Sequence, residues 1–250
     1  MINKQYRLTP EEAALIKDRR AKGVENILVI GDLHEPFCRE GYLEHCIDTY
    51  HKYNCNKVVF IGDVIDNHYS SFHEEDPDGY SAGEELDRAI DRVSKWYKAF
   101  NNNTVPGGVE VCIGNHDAII TRKLFSSGIS KRWVRKYSDV LGTNDWIWGD
   151  SFMHNGVLYV HGTGSSGKGA IKRVLEWQCS VVQGHIHTEA YVNWYCNKEY
   201  KLFSMQVGAG VDDRSYAMAY AKHFTKKYII SCGVVLDNGN MPMVIPMDLG

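Results

Sequence analysis

The chain has 250 residues, 44% of them hydrophobic and 24% charged, the composition of an ordinary globular protein near the upper size for one core. Its formal net charge of −3 argues against a surface built mainly to coat nucleic acid, while leaving room for a local basic patch, and no apolar stretch reaches the ~18 residues of a membrane span. Seven cysteines without CxxC spacing read as buried, reduced thiols. The expectation is a cytoplasmic protein with one domain over residues 1–250.

Thr9-Pro10-Glu11-Glu12 is a capping box with proline at the first helical position, and it opens a helix expected to run to about Arg20. A strand (26–30), a helix (42–53) and a second strand (57–61) follow. Ser81-Ala82-Gly83-Glu84 is another capping box. Beyond it Leu86, Ile90, Val93, Tyr97 and Phe100 recur at helical spacing along one face. A third strand is expected at 109–113, and 118–137 reads as one or two helices with many Arg and Lys. Asn155-Gly156 marks a hairpin turn between strands 151–154 and 157–160. A helix at 170–177 leads to a strand at 180–183, and strand-like runs then dominate (190–195, 200–206, 228–236, 243–245). The first half therefore reads as βαβ and the second as mostly antiparallel β. Two stacked mixed sheets with helices outside satisfy both, an α/β (α+β) fold.

Five of these apolar runs end on metal-ligand residues. ILVI leads into Gly31-Asp32-Leu33-His34, and VVFI into Gly62-Asp63-Val64-Ile65-Asp66. VCI leads into Gly114-Asn115-His116-Asp117, LYV into His161-Gly162, and SVVQ into Gly184-His185-Ile186-His187. A β-branched run buried on both faces places the next side chain in a crevice at the sheet edge. Asp32, His34, Asp63, Asn115, His161, His185 and His187 are too many ligands for one ion and suit two that share a carboxylate. Mixed His and carboxylate donors favour Mn, Fe, Zn, Co or Ni over Mg and Ca, with Mn taken first.

The five blocks, in this order, resemble the calcineurin-like metallophosphoesterase family (GDxH, GDxxD, GNH[DE], a lone His after a strand, GHxH). The resemblance implies a four-layered αββα sandwich with a dinuclear site at the sheet edge. It implies that Asp32, His34 and His187 hold one ion, that Asn115, His161 and His185 hold the other, and that Asp63 bridges. It also implies that His116 is the general acid, oriented by Asp66. The expected activity is hydrolysis of a phosphate ester by in-line attack of a metal-bridging hydroxide, with Asn115 also on the substrate's oxygens.

Phosphatases of the family that act on proteins carry arginines after GDxxD and before GNH, where this chain has Asn67 and Ile113. The missing bidentate grip on a phosphate dianion favours a phosphodiester of nucleotide or nucleic-acid type, unless Arg214 substitutes. The alternatives are a phosphomonoesterase or protein phosphatase, and a catalytically silent metal-binding module. An intact His116–Asp66 pair speaks against the silent module.

Secondary features compete for attention. Residues 162–169 (GTGSSGKG) nearly match a P-loop, but Gly169 lacks the hydroxyl that would hold Mg²⁺; the milder reading is that Lys168 contacts a substrate phosphate. The polar run 67–80, with His73, Glu74, Glu75, Asp76 and Asp78, reads as a functional or a solvated loop, and His68 in it is a candidate substrate contact. Arg122, Lys123, Lys131, Arg132, Arg135 and Lys136 form a basic stretch read as a solvated helix face or a nucleic-acid contact. Trp146, Trp148, Trp177 and Trp194 are expected in the core. The run 207–216 resembles phage-encoded members of the family.

Overall fold

The computed structural model describes residues 23–71, 78–212, 214–215 and 227–248. The helix expected at 9–20 and the loop residues His73, Glu74, Glu75 and Asp76 lie outside the described residues. Strands β1 (Ile27–Ile30), β2 (Lys57–Phe60) and β3 (Val109–Cys112) are buried at every position and pair side by side in parallel. Parallel neighbours need long crossovers and cover on both faces. Helices α1 (Tyr42–Lys52) and α2 (Ala82–Ala99) provide the crossovers. After β3 come α3 (Ile119–Ser126), a 3₁₀ turn (Lys131–Trp133) and α4 (Tyr137–Leu141). The short β4 (Ile147–Gly149), which sequence pattern did not reveal, then adds in parallel beside β3.

Strands β5 (Ser151–His154) and β6 (Val157–Val160) form the expected hairpin, with Asn155 at φ 49° and Gly156 at φ 78°. Two consecutive left-handed residues match the twist of the flanking strands. Helix α5 (Gly169–Trp177) crosses to β7 (Ser180–Gln183), which pairs in parallel with β6. Strands β8 (Tyr191–Cys196) and β9 (Lys201–Gln206) complete a second sheet in the order β5-β6-β7-β9-β8. Its outer pairs β5–β6 and β8–β9 are antiparallel as expected, while its central strands β6, β7 and β9 run parallel, which the sequence pattern did not reveal. Parallel and antiparallel strands share one side-chain period, and only the crossovers distinguish them. Strands β10 (Ser231–Leu236) and β11 (Met241–Pro246) return to the first sheet, giving β11-β10-β1-β2-β3-β4.

The two faces of the first sheet divide the core by alternation. Ile27, Val29, Val59 and Ile61 pack against Tyr159, Val182, Phe203 and Met205 of the second sheet. Leu28, Ile30, Val58 and Phe60 pack against Tyr42, Val93 and Trp96 of the helices. Val174 of α5 covers Leu158 and Val181 on the far face of the second sheet. The layers are helix, sheet, sheet, helix, as the sequence implied.

Helix α2 starts with the expected capping box, Ser81 and Glu84 bonding each other's backbone N–H. Its buried face is rotated from the expected stripe and consists of Glu85, Ala89, Val93 and Trp96. The rotation brings two polar groups to bear on loops at the sheet edge. Trp177 is 60% exposed and Trp194 45% exposed, which corrects their core assignment, whereas Trp146 is buried. Trp194 lies on the edge strand β8, under the Lys201 ammonium.

Candidate metal centre

Parallel strands end at one edge, so β1, β2 and β3 deliver Asp32, Asp63 and Asn115 together. Across the interface β6 and β7 deliver His161 and His185, with His187 two residues on. The loops after β1 and β2 are laced directly, since Leu33 and His34 both donate backbone N–H to Asp63 O (3.0 and 2.8 Å). His34, Asp63 and His185 take left-handed backbone conformations (φ 52°, 46° and 69°), which cost about 1–3 kcal/mol each outside glycine.

The glycines of three blocks make room for a ligand-type side chain from another block. A Cβ on Gly62 would stand 2.5 Å from His161 Nδ1. On Gly114 it would overlap the Asp63 carboxylate, and on Gly184 that of Asp32. The blocks therefore interlock across both sheets.

Three groups of donors have their ligand atoms within 4.8 Å of one another: Asp32, His34 and His187; Asp63, His161 and His185; and His34, Asp63 and His116. His187 Nε2 lies 3.1 Å from Asp32 Oδ2 and 3.2 Å from His34 Nε2. His161 Nε2 lies 3.1 Å from Asp63 Oδ2 and 3.0 Å from Asn115 Oδ1. Asp63 Oδ2 also lies 3.6 Å from His34 Nε2, between the two groups. The other ring nitrogens are held from behind, His161 Nδ1 by Ile61 O (3.0 Å) and His34 Nδ1 by Asp66 Oδ1 (2.5 Å). Such partners fix the tautomer that leaves Nε2 for a metal.

These residues fit a cation. Asp32 Oδ1 and Asp66 Oδ2 are buried without a hydrogen-bond partner, in a place where an unsatisfied charged oxygen costs several kcal/mol. Two imidazole Nε2 atoms facing each other at 3.2 Å are likewise explained by a shared positive ion.

His116 donates its backbone N–H to Asp63 Oδ1 (2.8 Å). Its Nδ1 lies 2.7 Å from Asp66 O and 3.2 Å from Asp66 Oδ1, which leaves Nε2 for an incoming group. Burial lowers the His116 pKa, but the Asp66 hydrogen bond and the charges of Asp63 and Asp66 outweigh it and push it up to about 10. At His161 burial is likewise outweighed by Asp63 and Asp32, and the pKa rises to about 9. Burial and the neighbouring His116 hold His34 low, and burial and His161 hold His185 low. Burial raises the Asp66 pKa, but hydrogen bonds to His116 and His34 overcome it and keep the carboxyl ionised.

His68, a candidate substrate contact, is 8% exposed, with its Nδ1 3.9 Å from Asp66 Oδ2. Lys168 is exposed at the start of α5, and its backbone N–H is taken by the Glu189 carboxylate (3.1 Å). That carboxylate also abuts Gly167, so this loop presents an acid where a P-loop presents open N–H groups. Asn67 donates Nδ2 to His116 O (3.0 Å), tying down the loop of His116. Arg214 makes two hydrogen bonds to Asp212 at the surface (2.9 and 2.8 Å).

Three buried acids that sequence reasoning passed over support the ligand loops. Asp117 accepts from Gly114 N (2.9 Å) and Ile65 N (3.2 Å), joining two blocks; burial and Asp63 push its pKa up to about 7. Glu85 accepts from His68 N (2.6 Å) and Tyr69 N (3.0 Å). Glu35, next to His34, accepts from Arg92 Nε (2.7 Å) and Trp96 Nε1 (2.9 Å). The available signals were Glu35 directly before the apolar Pro36-Phe37-Cys38 and Glu85 one position off the helix stripe.

The model of the calcineurin-like phosphoesterase family matches residues 25–212. The chain belongs to that family. Strands β10 and β11 lie beyond the matched residues, yet they complete the first sheet of this calcineurin-like phosphoesterase. Among curated proteins none matches the chain. Among solved structures it is similar to a novel archaeal phosphodiesterase, with 14% identity over 89% of this chain and 99% of that one and a TM-score of 0.45. It is also similar to vacuolar protein sorting 29 of Cryptosporidium parvum (14% identity, 91% and 92% covered, TM-score 0.48). A third similar structure is the nuclease MPE of Pseudomonas putida (12% identity, 88% and 86% covered, TM-score 0.40). Among the described residues no helix is long and apolar enough to cross a membrane.

Proposed function

We propose that this protein hydrolyses a phosphodiester of nucleotide or nucleic-acid type with two divalent ions. Asp32, His34 and His187 hold one ion, Asn115, His161 and His185 hold the other, and Asp63 lies between them. Manganese is the first choice for this donor set, and iron, zinc, nickel and cobalt also suit it. When bound, two such ions neutralise phosphate oxygens and make water nucleophilic at neutral pH.

The observation that carries the reading is the His116–Asp66 pair. A site that only holds metal has no use for an imidazole braced at its rim by a buried carboxylate. Asp66 holds His116 Nδ1, so the proton on Nε2 is available to the leaving alkoxide, and Asn115 has a side chain suited to the phosphate oxygens. Asp66 also holds His34, so one carboxylate serves both a ligand and the acid. The preference for a diester rests on the absence of arginine at Asn67 and Ile113, together with the engagement of Arg214 by Asp212.

The test is a hydrolysis panel with Mn²⁺ that compares an aryl phosphodiester, an aryl monoester, cyclic nucleotides and DNA. The diesters are expected to turn over fastest. His116→Ala is expected to lower turnover about 10²- to 10⁴-fold while metal analysis still finds both ions. A strong monoester preference would remove the argument from the missing arginines. No turnover with both ions bound would favour the silent metal-binding module.

A further inference from the structure

The segment that follows the His116 block leaves the ligand loop directly, since Ile119 N donates to His116 O (3.1 Å) and Ala118 N to Gly114 O (3.0 Å). Helix α3 then extends for 8 residues, roughly 12 Å, and Ile119 is its single buried residue. The 3₁₀ turn Lys131–Trp133 lies against it. From 118 to 136 there is no Asp or Glu, in a chain whose net charge is −3. Arg122, Lys123, Arg132, Arg135 and Lys136 are all exposed. Among these cations stand Phe125 at 87% and Trp133 at 85% exposure, the two most exposed large apolar side chains among the described residues, with Ile120 and Ile129 beside them in sequence.

A solvated helix face accounts for the cations but not for two bare aromatic rings. A buried partner face accounts for the rings but not for a run of exposed cations without an acid from 118 to 136. Both are what a flexible polyanion with exposed π-faces requires, because cations follow its phosphates while aromatic rings stack on its bases. We infer that α3 and the Lys131–Trp133 turn form a binding surface for single-stranded nucleic acid that feeds the strand to the metal centre. The inference rests on the phosphodiester reading and narrows its substrate to a polymer. Unstacked bases are needed to reach Phe125 and Trp133, so the single strand is favoured over the duplex.

The test measures anisotropy of a fluorescent single-stranded phosphorothioate oligothymidine with the Mn²⁺-loaded full chain, alongside turnover of a small aryl phosphodiester. Phe125→Ala combined with Trp133→Ala is expected to weaken oligonucleotide binding about tenfold or more. Arg122→Ala combined with Lys123→Ala is expected to flatten the slope of log K against log salt by about 1.4, at ~0.7 per phosphate contact. Aryl diester turnover is expected to stay unchanged in both variants, and a thermal melt verifies that they fold. No binding by the wild type, unchanged affinity in the aromatic variant, or binding only to phosphatidylserine vesicles would overturn the inference. Aryl diester turnover without oligonucleotide binding would overturn this surface and leave the proposed chemistry standing. Oligonucleotide binding with these dependences, but no hydrolysis of any diester, would do the reverse.

Discussion

The two edges of the same parallel strands carry charge in opposite ways. At the edge where β2, β3 and β6 begin, Glu110 accepts from Lys57 Nζ (3.1 Å) and lies 2.6 Å from His154 Nε2, while Lys57 also bonds Gly107 O (3.0 Å). At the edge where they end, buried Asp32 and Asp66 each keep one oxygen with no hydrogen-bond partner. Both clusters join the first sheet to the second, Glu110 to His154 at one edge and Asp63 to His161 at the other. The first is satisfied within the protein and needs nothing added. The second leaves buried acceptors that a cation would complete. Buried charge alone does not mark a functional site; buried charge left incomplete does.

The contrast is tested most severely by Asp63→Asn. This change is expected to abolish binding of at least one ion and lower turnover more than about 10³-fold, while circular dichroism shows the fold intact. The same edge is expected to make metal binding pH-dependent. His161 is raised toward 9 by its carboxylates, so its proton must leave when a metal binds. Affinity is expected to climb as pH rises toward that value. Calorimetry in buffers of different ionisation enthalpy should detect the released protons, and a pH-independent affinity would contradict the assignment of His161 as a ligand.

At the opposite edge Glu110→Gln is expected to cost about 3 kcal/mol of stability at neutral pH and to leave turnover per folded molecule unchanged. Burial raises the Glu110 pKa, but His154 and Lys57 outweigh it and hold the carboxyl below its ordinary 4.5. Its stabilisation is therefore present above that value and lost as pH falls through the depressed one, so wild type and variant should converge in acid melts. The smallest effect belongs to Lys168→Ala. With Glu189 seated on that loop, kcat and KM should change little, and a large rise in KM would show Lys168 to be a phosphate contact.

Much of this arrangement was legible in the residues. The five strand ends were readable because runs such as ILVI and VVFI combine β-branching with an abrupt Gly-Asp stop. Their convergence was not a matter of pattern but of topology, which parallel pairing supplies. The sequence could not show that Asp117, Glu85 and Glu35 are drawn inward, because an acid beside an apolar run is normally solvated. Nor could it separate Trp146, which is buried and donates to Phe100 O, from Trp177 at the solvent-facing end of α5. Strand β4 escaped because three residues, one of them Gly149, carry no periodicity. His68 was read as a substrate contact from its place in the chain alone, and the Glu85 carboxylate that holds its backbone N–H was not legible there.

Strand order also has a consequence for biosynthesis. Ile27 of β1 pairs on one side with Lys57 and on the other with Val235. A ribosome delivers β1, β2 and β3 early, together with Asp32, Asp63 and Asn115, but the outer edge of β1 stays open until β10 has been made. His161, His185 and His187 arrive in the interval. The nascent chain thus holds Asp32, His34 and Asp63 without the histidines of the second sheet and with an unguarded strand edge beside them, and β1 is among the last of the described strands to be closed.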